Sequence, residues 1–196
     1  MYKSIEMEEL LKLLETFHPV DPQLQLYLLH HLPKEVHRAN KTILDEGEVC
    51  DWIAFVEKGL VRIYNELEDG TERIIWFHKE ADIIGSMKSY YSGQPSKLVI
   101  RTMEETHLRK IRKVELEELM RKFPGFYINA LRVTEQYYAR SEDHVILLAL
   151  PPKERFRKIQ EEYPWILEDK RIKDYMVAGY LGMDKATLSR YRKSGI

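Results

Sequence analysis

Twenty residues near the C-terminal end, Asp174 to Lys193 (DYMVAGYLGMDKATLSRYRK), have the length of two short helices joined by a tight turn. Val177, Leu181, Met183, Leu188 and Tyr191 fall where the shared inner face of such a pair must lie. Ala178 and Gly182 supply small residues at the close approach, and Gly182 predicts the left-handed end of the first helix. Asp184 offers an N-cap for the second helix. That helix carries Lys185, Arg190, Arg192 and Lys193, and no acidic residue follows Asp184. A helix that is apolar inside and cationic outside suits the major groove of a nucleic acid duplex. The alternative from spacing alone is a helical hairpin capping some other core.

Charge is distributed in keeping with the first reading. The chain has 196 residues and a formal net charge of −1. Residues 151–196 hold 11 Lys and Arg against 7 Asp and Glu, whereas residues 1–150 hold 20 against 25. The cationic excess is confined to the segment expected to meet phosphate. Cys50 is the only cysteine, which excludes an intrachain disulfide or a four-thiolate iron–sulfur centre and suits a reducing cytosol. The longest apolar run, residues 145–150, is too short to cross a bilayer, and the N-terminus lacks a signal-peptide core. A cytoplasmic protein with no membrane partner is expected.

Residues 1–40 read as helices. Leu10, Leu13, Leu14 and Phe17 recur at helical spacing behind a glutamate-rich first turn, Asp21-Pro22 opens a second helix, and Pro33 is expected to start a third, short one. His30, His31 and His37 lack partners at ligand spacing, so no metal is expected. From residue 41 to 112 the period changes to two, and strands are predicted at 52–57, 60–65, 71–77, 97–103 and 107–111. Glu46-Gly47, Lys58-Gly59 and Asp69-Gly70 mark turns between them. Successive strands without intervening helices predict an antiparallel roll or barrel. Its one long interruption, Gly85 to Pro95, is long enough for one or two helical turns and is where a ligand would lie.

Residues 113–150 predict two more helices. The first has Leu116, Leu119, Met120 and Phe123 on one face. The second opens at Pro124, and its seam is Tyr127, Leu131, Thr134, Tyr138, Ser141, Val145 and Leu148, a heptad spacing. From Pro124 to Leu148 it spans about 37 Å. A narrow seam on so long a helix calls for a partner, with a second copy of the chain the simplest candidate and packing on the strand region the alternative. Pro151-Pro152 ends it, and Phe156, Ile159 and Tyr163 begin the core that supports the two terminal helices. The expected fold is therefore α+β, in three parts: N-terminal helices and an antiparallel roll over 1–123, a dimerisation helix over 124–150 and a helix-turn-helix domain over 151–196.

The stretch EGEVCDWIAFVEKGLVRIYNELEDGTERIIWF with Gly85, taken with VAGYLGMDKATLSRYRK, resembles the Crp/Fnr family of bacterial transcription regulators over nearly the whole chain. The resemblance implies a cyclic-nucleotide-binding-type roll, a dimerisation helix and a DNA reader, acting as a homodimer on a palindromic site, with RNA polymerase as a further partner. It places an effector pocket at Gly85, Ser86, Met87, Ser96, Lys97 and Leu98. Family members that bind cyclic nucleotide carry Gly-Glu and Arg-Ser or Arg-Ala where this chain has Gly85-Ser86 and Ser96-Lys97. A serine cannot replace the carboxylate acceptor, and a lysine offers a point charge instead of a fork. Cyclic nucleotide is therefore not expected as the ligand; the pocket takes another molecule or is filled by its own side chains, such as Tyr90 and Tyr91. The cysteine count rules out iron–sulfur sensing, and a lone His78 on a strand does not recommend haem.

In the reader, Lys185 and Arg190 are the candidates for base edges and Thr187, Ser189 and Arg192 for phosphates, with Lys193 beside them. Ala186 stands where many members have an acidic residue; it can touch a thymine methyl but cannot accept from cytosine N4. The sequence stops three residues after Lys193, so the family's β-wing is expected to be missing. Ala186 and the missing wing support a second reading, a sensor or adaptor that has lost DNA binding. An enzyme is not expected: Ser141, Glu142, Asp143 and His144 are neighbours on one helix and point to different faces.

Overall fold

The structure is a computed structural model that describes residues 7–194. The chain falls into two compact units, Met1–Val61 with His78–Gln136, and Arg62–Phe77 with Tyr137–Ile196.

In the first unit α1 (Glu8–Glu15) and α2 (Pro22–His31) come first. Asp21 caps α2, its Oδ1 accepting from the backbone N–H of Gln23 at 2.8 Å and of Leu24 at 2.9 Å. A four-stranded antiparallel sheet follows in the order β1 (Lys34–His37), β8 (Thr106–Arg112), β3 (Trp52–Lys58), β6 (Ile83–Ile84). β2 (Thr42–Leu44) pairs antiparallel with β7 (Val99–Thr102). α3 (Met87–Ser92) forms the interruption, α4 (Lys113–Lys122) leaves β8, and α5 (Phe126–Ala149) follows it. Leu14, Leu28, Phe55, Tyr90, Leu119 and Phe126 meet in one buried cluster that joins the helices to β3.

The third short helix expected from Pro33 is instead the strand β1. Glu35, Val36 and His37 pair with Leu108, His107 and Thr106 of β8, so a partner about seventy residues away overrides the local helical reading. The short strands β2 and β6 are likewise invisible to periodicity, because two or three residues carry no period.

β8 is held on both sides. Its pairing with β3 shifts register between Val56 and Lys58, which sets Glu57 apart as the bulged residue. Glu57 Oε1 accepts from Arg109 Nε at 3.0 Å and lies 3.0 Å from Nη2, while Nη1 donates to the carbonyl of Leu32 at 3.1 Å. Arg109 is only 5% exposed, so its charge depends on these contacts. The turn beside them needs glycine: at Gly59, with φ +109°, a Cβ would sit 2.6 Å from Thr106 Oγ1 and 2.9 Å from Thr106 Cα.

The second unit contains β4 (Val61–Glu66) from Arg62 onward and β5 (Glu72–His78) through Phe77, neighbours in a hairpin. Arg62 Nε and Nη2 donate to the two carboxylate oxygens of Glu72 at 3.1 and 2.9 Å. With the hairpin go the C-terminal part of α5 and the helices α6 (Pro152–Glu162), α7 (Pro164–Glu168), α8 (Asp174–Tyr180) and α9 (Lys185–Ser194). Val177, Leu181 and Leu188 are completely buried, as the shared inner face of two helices requires; Phe156 and Ile159 are buried as well, with the Phe156 ring centre 5.8 Å from that of Tyr191.

Arg109→Leu, which removes the buried partner of Glu57 and leaves it with Lys34 Nζ at 3.1 Å, is expected to lower stability by about 3 kcal/mol in urea denaturation. Adding Glu57→Gln should recover part of that loss.

Candidate nucleic-acid interface and effector site

The local signals in the terminal motif act as the sequence suggests. α8 ends at Tyr180, and Gly182 follows with φ +58°. Asp184 caps α9: Oδ1 accepts from the Thr187 backbone N–H at 2.8 Å, and Oδ2 from Thr187 Oγ1 at 2.7 Å. The bond from the Thr187 backbone, followed by that from its hydroxyl, holds the Asp184 carboxyl below its ordinary pKa.

α9 then divides its side chains by face. Leu188 is buried, whereas Lys185, Ala186, Arg190, Arg192, Lys193 and Ser194 are exposed. Ala186, Ser189, Arg190, Lys193 and Ser194 line an open groove. The Arg190 guanidinium lies 5.6 Å from the centre of the Tyr191 ring. Two residues assigned to phosphate are engaged elsewhere. Thr187 spends its hydroxyl proton on Asp184, and Arg192 Nη2 donates to the carbonyl of Leu167 at 3.2 Å while lying 3.4 Å from Asp174 Oδ1.

The effector region is closed on itself. Ser86 and Ser96 are buried, and their hydroxyl oxygens lie 2.9 Å apart. The Leu98 N–H donates to Ser96 Oγ at 3.0 Å, and the Ser86 N–H donates to Cys50 Sγ at 3.4 Å. Behind them Ser89 Oγ accepts from the Cys50 N–H at 2.9 Å and donates to the Gln94 carbonyl at 2.6 Å. Gly85 is buried against β3, where a Cβ would meet the Trp52 carbonyl at 3.3 Å; Met87 is half-buried and Lys97 exposed. Burial pushes the thiol of Cys50 up and the phenol of Tyr90 up to about 12. The two tyrosines do not act together as a plug: Tyr90 joins the core, but Tyr91 is 59% exposed, its hydroxyl 3.3 Å from Thr134 Oγ1.

The heptad seam of α5 is on the surface. In the first unit Tyr127 and Leu131 are 60% and 42% exposed, with Thr134 exposed beside them. In the second, Tyr138, Val145 and Leu148 are 72%, 68% and 36% exposed, and Ser141 is half-buried, bonding back to the Tyr137 carbonyl at 2.8 Å. Phe126, Asn129, His144 and Leu147 are the buried residues of the helix. Sequence reasoning had no use for His144 in catalysis, and the structure shows it as a packed ring 5.1 Å from Trp76 and 4.6 Å from Tyr180. A cavity of about 10 Å³, with room for about one water, adjoins it, lined also by Arg140, Asp143, Lys158 and Glu162.

A β-roll joined to a helix-turn-helix by a long helix is a recognisable class, and residues 34–123 match the cyclic nucleotide-binding domain family. The relatives and structural neighbours that the chain resembles are Crp/Fnr regulators. It is 25% identical over 105 residues to the cAMP-activated global transcriptional regulator CRP of Salmonella typhimurium, covering 53% of this chain and 49% of the relative. To the cAMP-activated regulator Vfr of Pseudomonas aeruginosa it is 30% identical over 95 residues, 47% of this chain and 44% of the relative. The match thus spans about half the length of these curated relatives. In fold it is similar to FixK2 of Bradyrhizobium japonicum, with a TM-score of 0.70 at 22% identity over 84% of this chain and 86% of that one. Among the described residues no helix is long and apolar enough to cross a membrane.

His144 supplies a pH dependence. Burial lowers its pKa from 6.5 to about 4, so below 6.5 the unfolded chain binds a proton that the folded chain refuses. The stability contributed by the neutral ring is whole above pH 6.5 and is lost as pH falls toward about 4. His144→Phe is expected to flatten that part of the stability–pH curve, measured by thermal unfolding.

Proposed function

We propose that the chain is a DNA-binding transcription regulator of the Crp/Fnr type, not an enzyme, working in the cytoplasm. The observation that carries this reading is the outward face of α9, where Lys185, Ala186, Arg190 and Lys193 stand exposed on a helix whose opposite side is buried through Leu188. On this reading Lys185 and Arg190 contact base edges, and Lys193 and Ser189 the backbone. The exposed seam of α5 supports a homodimer, which would present two copies of α9 to a palindrome with half-sites about 34 Å apart. RNA polymerase is the further partner this reading implies. The functional division is a sensor over 1–123, a dimerisation helix over 124–150 and a reader over 151–196.

On this reading the roll does not take cyclic nucleotide. Ser86 and Ser96 use each other as partners, and no carboxylate or guanidinium stands at the two positions that hold ribose and phosphate in binding members of the family. The second reading, a sensor or adaptor without sequence-specific DNA binding, draws on Ala186 and on the engagement of Arg192 with Leu167 and Asp174.

Selection of bound duplexes from a random pool at moderate salt separates the two. A palindromic consensus is expected, and Arg190→Ala should relax one position of it at a loss of about 1–3 kcal/mol. Recovery of no consensus, together with affinity that ignores salt, favours the adaptor. Calorimetric titration with cAMP is expected to give no saturable heat; a stoichiometric isotherm at micromolar ligand refutes the closed pocket.

A further inference from the structure

α8 is buried on two sides. Val177 and Leu181, four residues apart and fully buried, make one of them. The other holds Met176, half-buried Gly179 and Tyr180; Gly179 and Tyr180 meet the β4–β5 hairpin, and Tyr180 also meets the C-terminal part of α5. At Gly179 the approach is closest to strand backbone: a Cβ there would lie 3.0 Å from the Glu72 carbonyl oxygen and 3.5 Å from the Ile74 nitrogen. Tyr180 continues the contact, its ring centre 5.8 Å from that of Phe77 and 4.6 Å from that of His144. A glycine inside a helix is otherwise a liability, since it loses more conformational freedom on folding than any other residue. Here φ is not positive, so the reason for glycine is space alone.

We propose that the β4–β5 hairpin is the dock of the helix-turn-helix, and that Gly179 is the positioning residue whose missing side chain lets α8 seat on the backbone of β5. Docking leaves the cationic face of α9 open, because the contacts are made by α8. The orientation of the reader is therefore set by β5, and a movement of the hairpin carries α8 with it. This device stands whether or not α9 reads DNA, and its test uses no DNA.

Hydrogen–deuterium exchange on the full chain reads the dock directly. Gly179→Val is expected to speed exchange at least tenfold in peptides covering 72–77 and 176–181, while peptides covering 152–162 and 185–194 keep their wild-type rates. Tyr175→Val, on the exposed part of α8, is expected to change neither. Wild-type rates in 72–77 for Gly179→Val overturn the proposal. If Gly179→Val unfolds the whole segment, seen as acceleration in 152–162, Gly179→Ala decides: selective acceleration of 72–77 supports the dock, and none overturns it.

Discussion

The ion pair between Arg109 and Glu57 is the contact on which the roll turns. A guanidinium that is almost wholly buried must be answered by charge, and the answer comes from the residue that the register shift in β3 sets apart. The same guanidinium bonds to the Leu32 carbonyl at the end of α2, so one side chain ties the N-terminal helices to the central strand. A bulge that leaves its carboxylate within reach of a buried cation is a means of fixing register: a slip of one residue would turn the alternation over and strand both charges. With β8 fixed between β1 and β3, the chain can place the Gly85 to Pro95 interruption beside β3, where Gly85 lies against the Trp52 carbonyl.

That interruption combines a defined backbone geometry with side chains that bond to one another. The backbone geometry survives: Gly85 buried on β3, a short helix, and Gly93 in the left-handed conformation at its end. The side chains at Ser86 and Ser96 are short hydroxyls, and hydroxyls at this spacing satisfy one another. A buried polar pair already bonded gains little by exchanging its partner for a ligand oxygen, whereas a carboxylate or a guanidinium left alone would need one.

The terminal motif follows a different logic. Its exposed cationic face is made by local rules, a cap at Asp184 and a buried Leu188 with exposed cations between, whereas α8 packs against a strand about a hundred residues earlier. Because α8 is buried on two sides, the motif is not a free module of its own unit; the hairpin residues Arg62–Phe77 cluster with it. Arg192 illustrates the same dependence. Its sequence position suggests a phosphate contact, and its actual partners are the Leu167 carbonyl and Asp174.

Much of this was legible in the sequence, and the legible part has a common character. Asp21 and Asp184 as caps, Gly182 as a helix end, the period-two strands and the heptad stripe of α5 all depend on neighbours within about a turn or on a simple alternation. Those signals are specified by a short stretch of chain and need no distant partner to be read. Tertiary structure alone decided that residues 34–37 are a strand, that Tyr90 and not Tyr91 joins the core, that Ser86 bonds Ser96, and that Gly179 rests on β5. Each of these rests on a partner outside the local turn, and the choice among possible partners is made by which arrangement buries apolar surface without stranding a charge or a hydrogen bond.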